Sequence, residues 1–169
     1  MTQIAPDDGE NIERRIANTI DPLLPYESTS VNDLTTRVRA QLRSTHHDCV
    51  DETIACADAV ADRWEQTWTT DRSALVQPLA LELSQRGVLE YYPTVLSDLV
   101  TGIGYDLPAQ PVAAPPYVVV TSTGPLLRAT LADGRLLVAF RLFDVERGGE
   151  CRYVRRGSTH ESVVEVTVL

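Results

Sequence analysis

Residues 108–140, PAQPVAAPPYVVVTSTGPLLRATLADGRLLVAF, are where the chain changes its hydrophobic period. Upstream, apolar residues recur every three or four positions, as on one face of a helix. Downstream they alternate, as along a half-buried strand. The prolines of residues 108–116 favour an extended, semi-rigid connection of about 3.1 Å per residue. This stretch therefore reads as a linker between a helical domain, 1–107, and a small antiparallel β domain, 117–169. The predicted class is α+β.

Beyond the linker, residues 117–122 form a first predicted strand and 126–131 a second, with Thr123-Gly124-Pro125 turning between them. Asp133-Gly134 is a strong hairpin signal. Residues 135–145 follow as one strand, with Leu136, Val138, Phe140 and Leu142 on one face. Gly148-Gly149 and Gly157 then separate strands at 151–155 and 161–169. The expectation is a meander of four to five strands, with the helices covering its apolar face.

Four helices are expected upstream, as an N-terminal bundle. The first covers residues 9–20, with Ile12, Ile16 and Ile20 four apart and Pro22 and Pro25 ending it. The second is the longest. Ser30 is a good N-cap, and Asp33 three residues on completes an acidic variant of the capping box. A stripe of Val31, Leu34, Val38, Leu42, His46, Cys49, Thr53, Cys56, Val60 and Trp64 predicts one long helix over about 30–68, about 55–60 Å in length. Its first half shows one narrow apolar seam, which suits a partner helix. A third helix is expected over 71–86, kinked or broken at Pro78 and closed by Gly87 in a left-handed conformation. Pro93 opens a fourth, to Gly104.

The 169-residue chain contains no lysine; fifteen arginines face 24 acids, giving a net charge of −9. That excludes Schiff-base, phosphate-loop-lysine and serine–lysine chemistry. With a pI near 4.7, the composition resembles that of the acidic, high-salt-adapted proteins of extreme halophiles, kept soluble by surface carboxylates. The charge is uneven. Residues 1–116 carry eight arginines and 18 acids, net −10, whereas 117–169 carry seven arginines and six acids, net +1. The near-neutral third is therefore the expected contact surface for a partner. The acidic N-terminus has no apolar core of signal-peptide length, and no apolar run approaches a membrane span. A cytoplasmic location without membrane association is expected. Cys49, Cys56 and Cys151 have no framework spacing and read as free thiols.

Motifs that carry chemistry are few. GxSxG, HExxH and glycine-rich phosphate loops are missing from the sequence, so no catalytic residue and no cofactor is predicted. His46 and Cys49, three apart on a helix, are the weak candidates for metal ligands; Cys56 lies about 10.5 Å further along the axis, too far to share an ion with them. Residues 80–100 loosely resemble a helix-turn-helix, but Glu82, Glu90 and Asp98 fall where phosphates would lie. Arg152, Arg155 and Arg156, with Tyr153 between them, form a small basic ribbon that could contact a protein or nucleic acid.

The function these features predict is that of a non-catalytic interaction or assembly protein. It would homodimerise through Val31, Leu34, Val38, Leu42 and His46 and meet an unknown protein partner through the β domain. The first alternative is a small DNA-associated transcriptional or nucleoid regulator using the arginine ribbon, with nucleic acid the less favoured partner. A metal-dependent enzyme is the second.

Overall fold

A computed structural model describes residues 30–156 and 159–169. The helix expected over residues 9–20 lies outside these described residues. Two compact units divide the chain, Met1–Leu34 and Thr35–Leu169. Only residues 30–34 of the first are described. There the expected capping box is formed: the Ser30 N–H donates to Asp33 Oδ2 and the Asp33 N–H donates to Ser30 Oγ, each at 3.3 Å.

The described residues are mixed α+β, with helices first and strands after. The helices are α1 (Val31–Thr45), α2 (His47–Ala61), α3 (Val76–Gln85), α4 (Val88–Gly102) and a short α5 (His160–Val163). The strands are β1 (Trp68–Thr69), β2 (Val118–Thr121), β3 (Gly124–Leu131), β4 (Gly134–Phe140), β5 (Phe143–Glu146), β6 (Arg152–Arg155) and β7 (Val164–Val168). They form two antiparallel sheets, one of order β2-β3-β4-β7 and one of order β1-β6-β5.

The single helix expected over 30–68 is instead two helices, broken at His46, where φ is −117° and ψ is 25°. The apolar stripe passes through the break, because one bent residue leaves the three-and-four spacing intact. What bends the chain is tertiary. The His46 side chain is only 2% exposed, drawn inward between Tyr91 and Asp98 of α4. The second helix stops at Ala61, seven residues early. Arg63 pairs there with the buried carboxylate of Glu82, and the Trp64 ring lies 5.6 Å from that of Phe143.

The segment is divided just ahead of Pro78: Arg72–Ala74 form a short 3-10 turn and α3 begins at Val76. Pro78 is the third residue of α3, where its missing N–H would have had no helical partner. Gly87 is left-handed as expected, with φ 73°, and α4 begins directly after it. That start is one turn earlier than Pro93 suggested, since burying Val88 and Tyr92 outweighs one lost hydrogen bond.

The meander is also interrupted. Residues 135–145 were expected as one strand but serve two sheets. β4 ends at Phe140, and the backbone N–H groups of Leu142 and Phe143 both donate to Thr123 O, at 2.7 and 3.1 Å. That crossing brings Phe140 O against Gly124, whose φ is 142° and which has no room for a Cβ. β7 therefore pairs with β4, Val166 opposite Val138, and β5 pairs with β6. The inner face of the larger sheet presents Leu127, Ala129, Leu136, Val138 and Phe140, all nearly inaccessible. These residues share the core of Thr35–Leu169 with Leu79, Leu83, Val95, Leu96 and Leu99 of α3 and α4. The helices pack both on one another and on this sheet.

Candidate metal centre

The bend at His46 determines which side chains face outward at the start of α2. His47 becomes its first residue, and Asp51, one turn later, stands on the same face. The His47 Nδ1 lies 3.1 Å from Asp51 Oδ2. The third member arrives from the far end of the chain. Thr159 caps α5, its hydroxyl accepting from the Ser162 N–H at 3.2 Å. The first residue of α5 is His160, whose Nε2 donates to Asp51 Oδ1 at 2.6 Å across a separation of 109 residues. The two imidazoles lie side by side, centroids 4.6 Å apart and planes 34° from parallel.

One ligand atom from each of His47, Asp51 and His160 falls within 4.8 Å of the others. Around a tetrahedral ion with bonds of about 2.0 Å, ligand atoms sit about 3.3 Å apart. Small side-chain rotations thus convert the present arrangement into a three-ligand site. Its surroundings are open: His47 and Asp51 are exposed and His160 half-buried. Protein ligands would fill three positions and leave a fourth facing solvent.

The pair singled out in the sequence, His46 and Cys49, is not part of this cluster. His46 Nδ1 is hydrogen-bonded to the Tyr91 hydroxyl at 3.2 Å. Its Nε2 lies 3.2 Å from Asp98 Oδ2 but is not aligned for a hydrogen bond. Burial pushes the Cys49 thiol up to about 12. The histidine that joins the cluster is the neighbour of His46, His47. Spacing could have found His47 and Asp51, four apart on a helix, but nothing in the sequence connects them to His160.

Burial likewise pushes the Cys56 thiol up to about 11, while Cys151 is exposed. A thiol reagent at pH 8 is expected to modify Cys151 quickly and the other two only on unfolding; three fast thiols in the native protein would contradict this packing. The neutral forms of Cys49 and Cys56 are the folded ones. Their contribution is therefore complete below the unfolded thiol value of about 8.5, and is lost as pH rises from there through about 11 and 12.

The remaining candidates are used inside the chain. Val38, Leu42 and His46, the core of the expected dimer seam, are between 0 and 2% exposed; Leu34 is buried too, and Val31 alone of the five stands in solvent. Arg37 and Gln41 tie α1 to α4, donating to Gly102 O at 2.7 Å and Asp98 O at 2.8 Å. In the arginine ribbon, Arg152 lies over the Trp68 ring, 4.3 Å from its centroid. Arg155 pairs with Asp58 at 2.9 Å, Arg156 with Asp144 at 3.3 Å, and Tyr153 sits in the ladder between Thr69 and Val145. The segment resembling a helix-turn-helix becomes α3 and α4, and α4 contains no basic residue.

No described helix is long and apolar enough to cross a membrane. No curated protein and no solved structure matches the chain. A family does: over residues 36–169, which include all three ligand residues, the sequence fits the domain of unknown function DUF7988, and the chain belongs to that family.

Proposed function

We propose that this domain binds a divalent transition metal through His47, Asp51 and His160. The observation that supports the reading is the convergence of two imidazole nitrogens and a carboxylate, from segments 109 residues apart, within 4.8 Å. Nitrogen and carboxylate donors suit zinc and its first-row neighbours better than calcium or magnesium, which prefer oxygen. Three protein ligands with a free fourth position are the pattern of reactive rather than structural zinc sites. A bound water there would be available for Lewis-acid or hydrolytic chemistry. A structural role is less consistent with this exposure, because α2 and α5 are already held by other contacts. Homodimerisation through the α1 seam is not part of the proposal, since its central residues are covered within the chain. Buried free thiols suit a reducing compartment such as the cytoplasm.

Metal analysis and cobalt titration test the proposal. They are best done in molar potassium chloride, given the net charge of −9. One equivalent of zinc or cobalt is expected, with visible absorption of a low-coordinate cobalt site. Asp51→Asn or His160→Ala should weaken binding at least about 100-fold, the upper range for losing even an outer-shell partner. His46→Gln should retain it. Failure to take up either ion, or equal uptake by the Asp51 and His160 variants, would overturn the assignment.

A further inference from the structure

A cavity of about 290 Å³ lies between the proline segment and the larger sheet, lined by Leu107, Pro108, Pro116, Tyr117, Arg128 and Thr130. Arg128 and Thr130 are two apart on β3 and so share its outward face. Tyr117 is fixed beside them, because the Arg128 N–H donates to Tyr117 O at 2.8 Å. Arg128 as a residue is half-buried, yet its side chain has no ion pair or hydrogen bond among the described residues. The other half-buried arginines are engaged: Arg39 with Val164 O, Arg141 with Glu165, Arg155 with Asp58 and Arg156 with Asp144. In a chain with 24 acids, a sheltered guanidinium facing a cavity without a carboxylate is the exception.

We infer that this cavity binds a small organic carboxylate, held by Arg128 and flanked by the hydroxyls of Tyr117 and Thr130. A guanidinium presents a planar fork that matches a carboxylate with two parallel hydrogen bonds. One such group neutralises one negative charge, which suits a monocarboxylate and leaves a phosphate dianion undercompensated. Leu107, the two prolines and the Tyr117 ring supply an apolar wall for the ligand's body. Proline walls are already stiff, so little order is lost on binding. At this volume, near the lower limit for ligand pockets, the body is no larger than a ring or a short chain. The inference is independent of the metal centre and shares no residue with it.

Two-dimensional NMR titration with benzoate, at constant ionic strength, tests it on the whole chain. Saturable shifts are expected at Tyr117, Arg128 and Thr130 and not at His47, Asp51 or His160; shifts confined to the latter three would place the carboxylate on the metal and overturn the cavity site. Inorganic phosphate should not displace benzoate, and equal competition would replace a carboxylate site by a general anion site. Arg128→Gln should weaken binding about ten- to a hundred-fold, the loss of a charged hydrogen-bond partner. Its melting temperature should match the parent's, because Arg128 bonds to nothing else. Tyr117→Phe, which keeps the ring, provides a second variant and should weaken binding less. Benzoate affinity unchanged in Arg128→Gln, or no saturable shift in the parent, would refute the inference.

Discussion

Replacing Tyr92 by alanine is expected to lower the free energy of unfolding by about 3–5 kcal/mol, the range for removing a large aromatic side chain from a packed core. Tyr92 has no accessible surface and joins three elements. Its own helix is α4; its ring stacks on Phe140 of β4, centroids 5.6 Å apart and planes 25° from parallel. Its hydroxyl lies 2.7 Å from Thr53 Oγ1 of α2. The direction of that hydrogen bond follows from donor counting. Thr53 uses its only hydroxyl proton on Cys49 O, at 2.8 Å, so Tyr92 must donate and Thr53 accept. Burial accordingly holds the Tyr92 phenol well above its usual value. Tyr92→Phe separates the two contributions. It removes the hydrogen bond but keeps the stacked ring, and should cost about 1 kcal/mol. Denaturant unfolding checks both variants; similar losses for the two would mean that the hydroxyl, not the ring, holds the layers together.

Much of this architecture was legible because it is local. Ser30 and Asp33 bond each other across three residues, Gly87 takes the left-handed conformation that ends a helix, and Asp133-Gly134 turns β3 into β4. Each is decided by side chains and backbone a few positions apart. The errors share the opposite property. The bend at His46 comes from Tyr91 and Asp98, more than forty positions away, and a periodic stripe looks the same along a straight or a bent helix. The crossing at Arg141–Leu142 comes from Thr123 and the close approach at Gly124, while alternation continues through it undisturbed. The candidate metal centre shows both cases within one cluster. His47 and Asp51 are a helical pair readable from spacing; His160 reaches them only because β7 pairs with β4 and returns the chain toward α2. Charge asymmetry is ambiguous for a related reason. Of the seven arginines after residue 116, Arg141, Arg155 and Arg156 each bind a carboxylate, so near-neutral composition marks internal pairing as much as a docking face. Arg128, the half-buried one left unpaired, carried no sequence signal at all.

The second large effect is expected at Arg155, where substitution by methionine should destabilise the fold by about 3–4 kcal/mol. Its side chain is 15% exposed, and its guanidinium is a junction between the smaller sheet and α2. Nε donates to Asp58 Oδ1 at 2.9 Å, while Nη1 donates to Leu142 O at 2.8 Å and Arg156 O at 2.6 Å. The Leu142 carbonyl belongs to the crossing between sheets and also accepts from the Arg156 N–H at 2.8 Å. The guanidinium lies 6.0 Å from the centre of the Phe143 ring. Methionine preserves much of the apolar stem and its contact with that ring, so the expected loss comes mainly from carbonyls left without their charged donor, each such bond contributing about 1.5–3 kcal/mol. The bonds are not additive, because one side chain makes them all. Asp58 contributes less to the loss, since its carboxylate is 55% exposed and regains water. Asp58→Asn should therefore cost under about 1 kcal/mol, in the range of exposed ion pairs. This contrast also separates the structural role from a basic contact surface. If Arg155 instead served a nucleic acid, Arg155→Met would leave unfolding by urea unchanged and abolish salt-sensitive binding to DNA or RNA. The expected outcome is a lowered urea midpoint for Arg155→Met with Asp58→Asn near the parent, and equal midpoints for the parent and Arg155→Met would refute it.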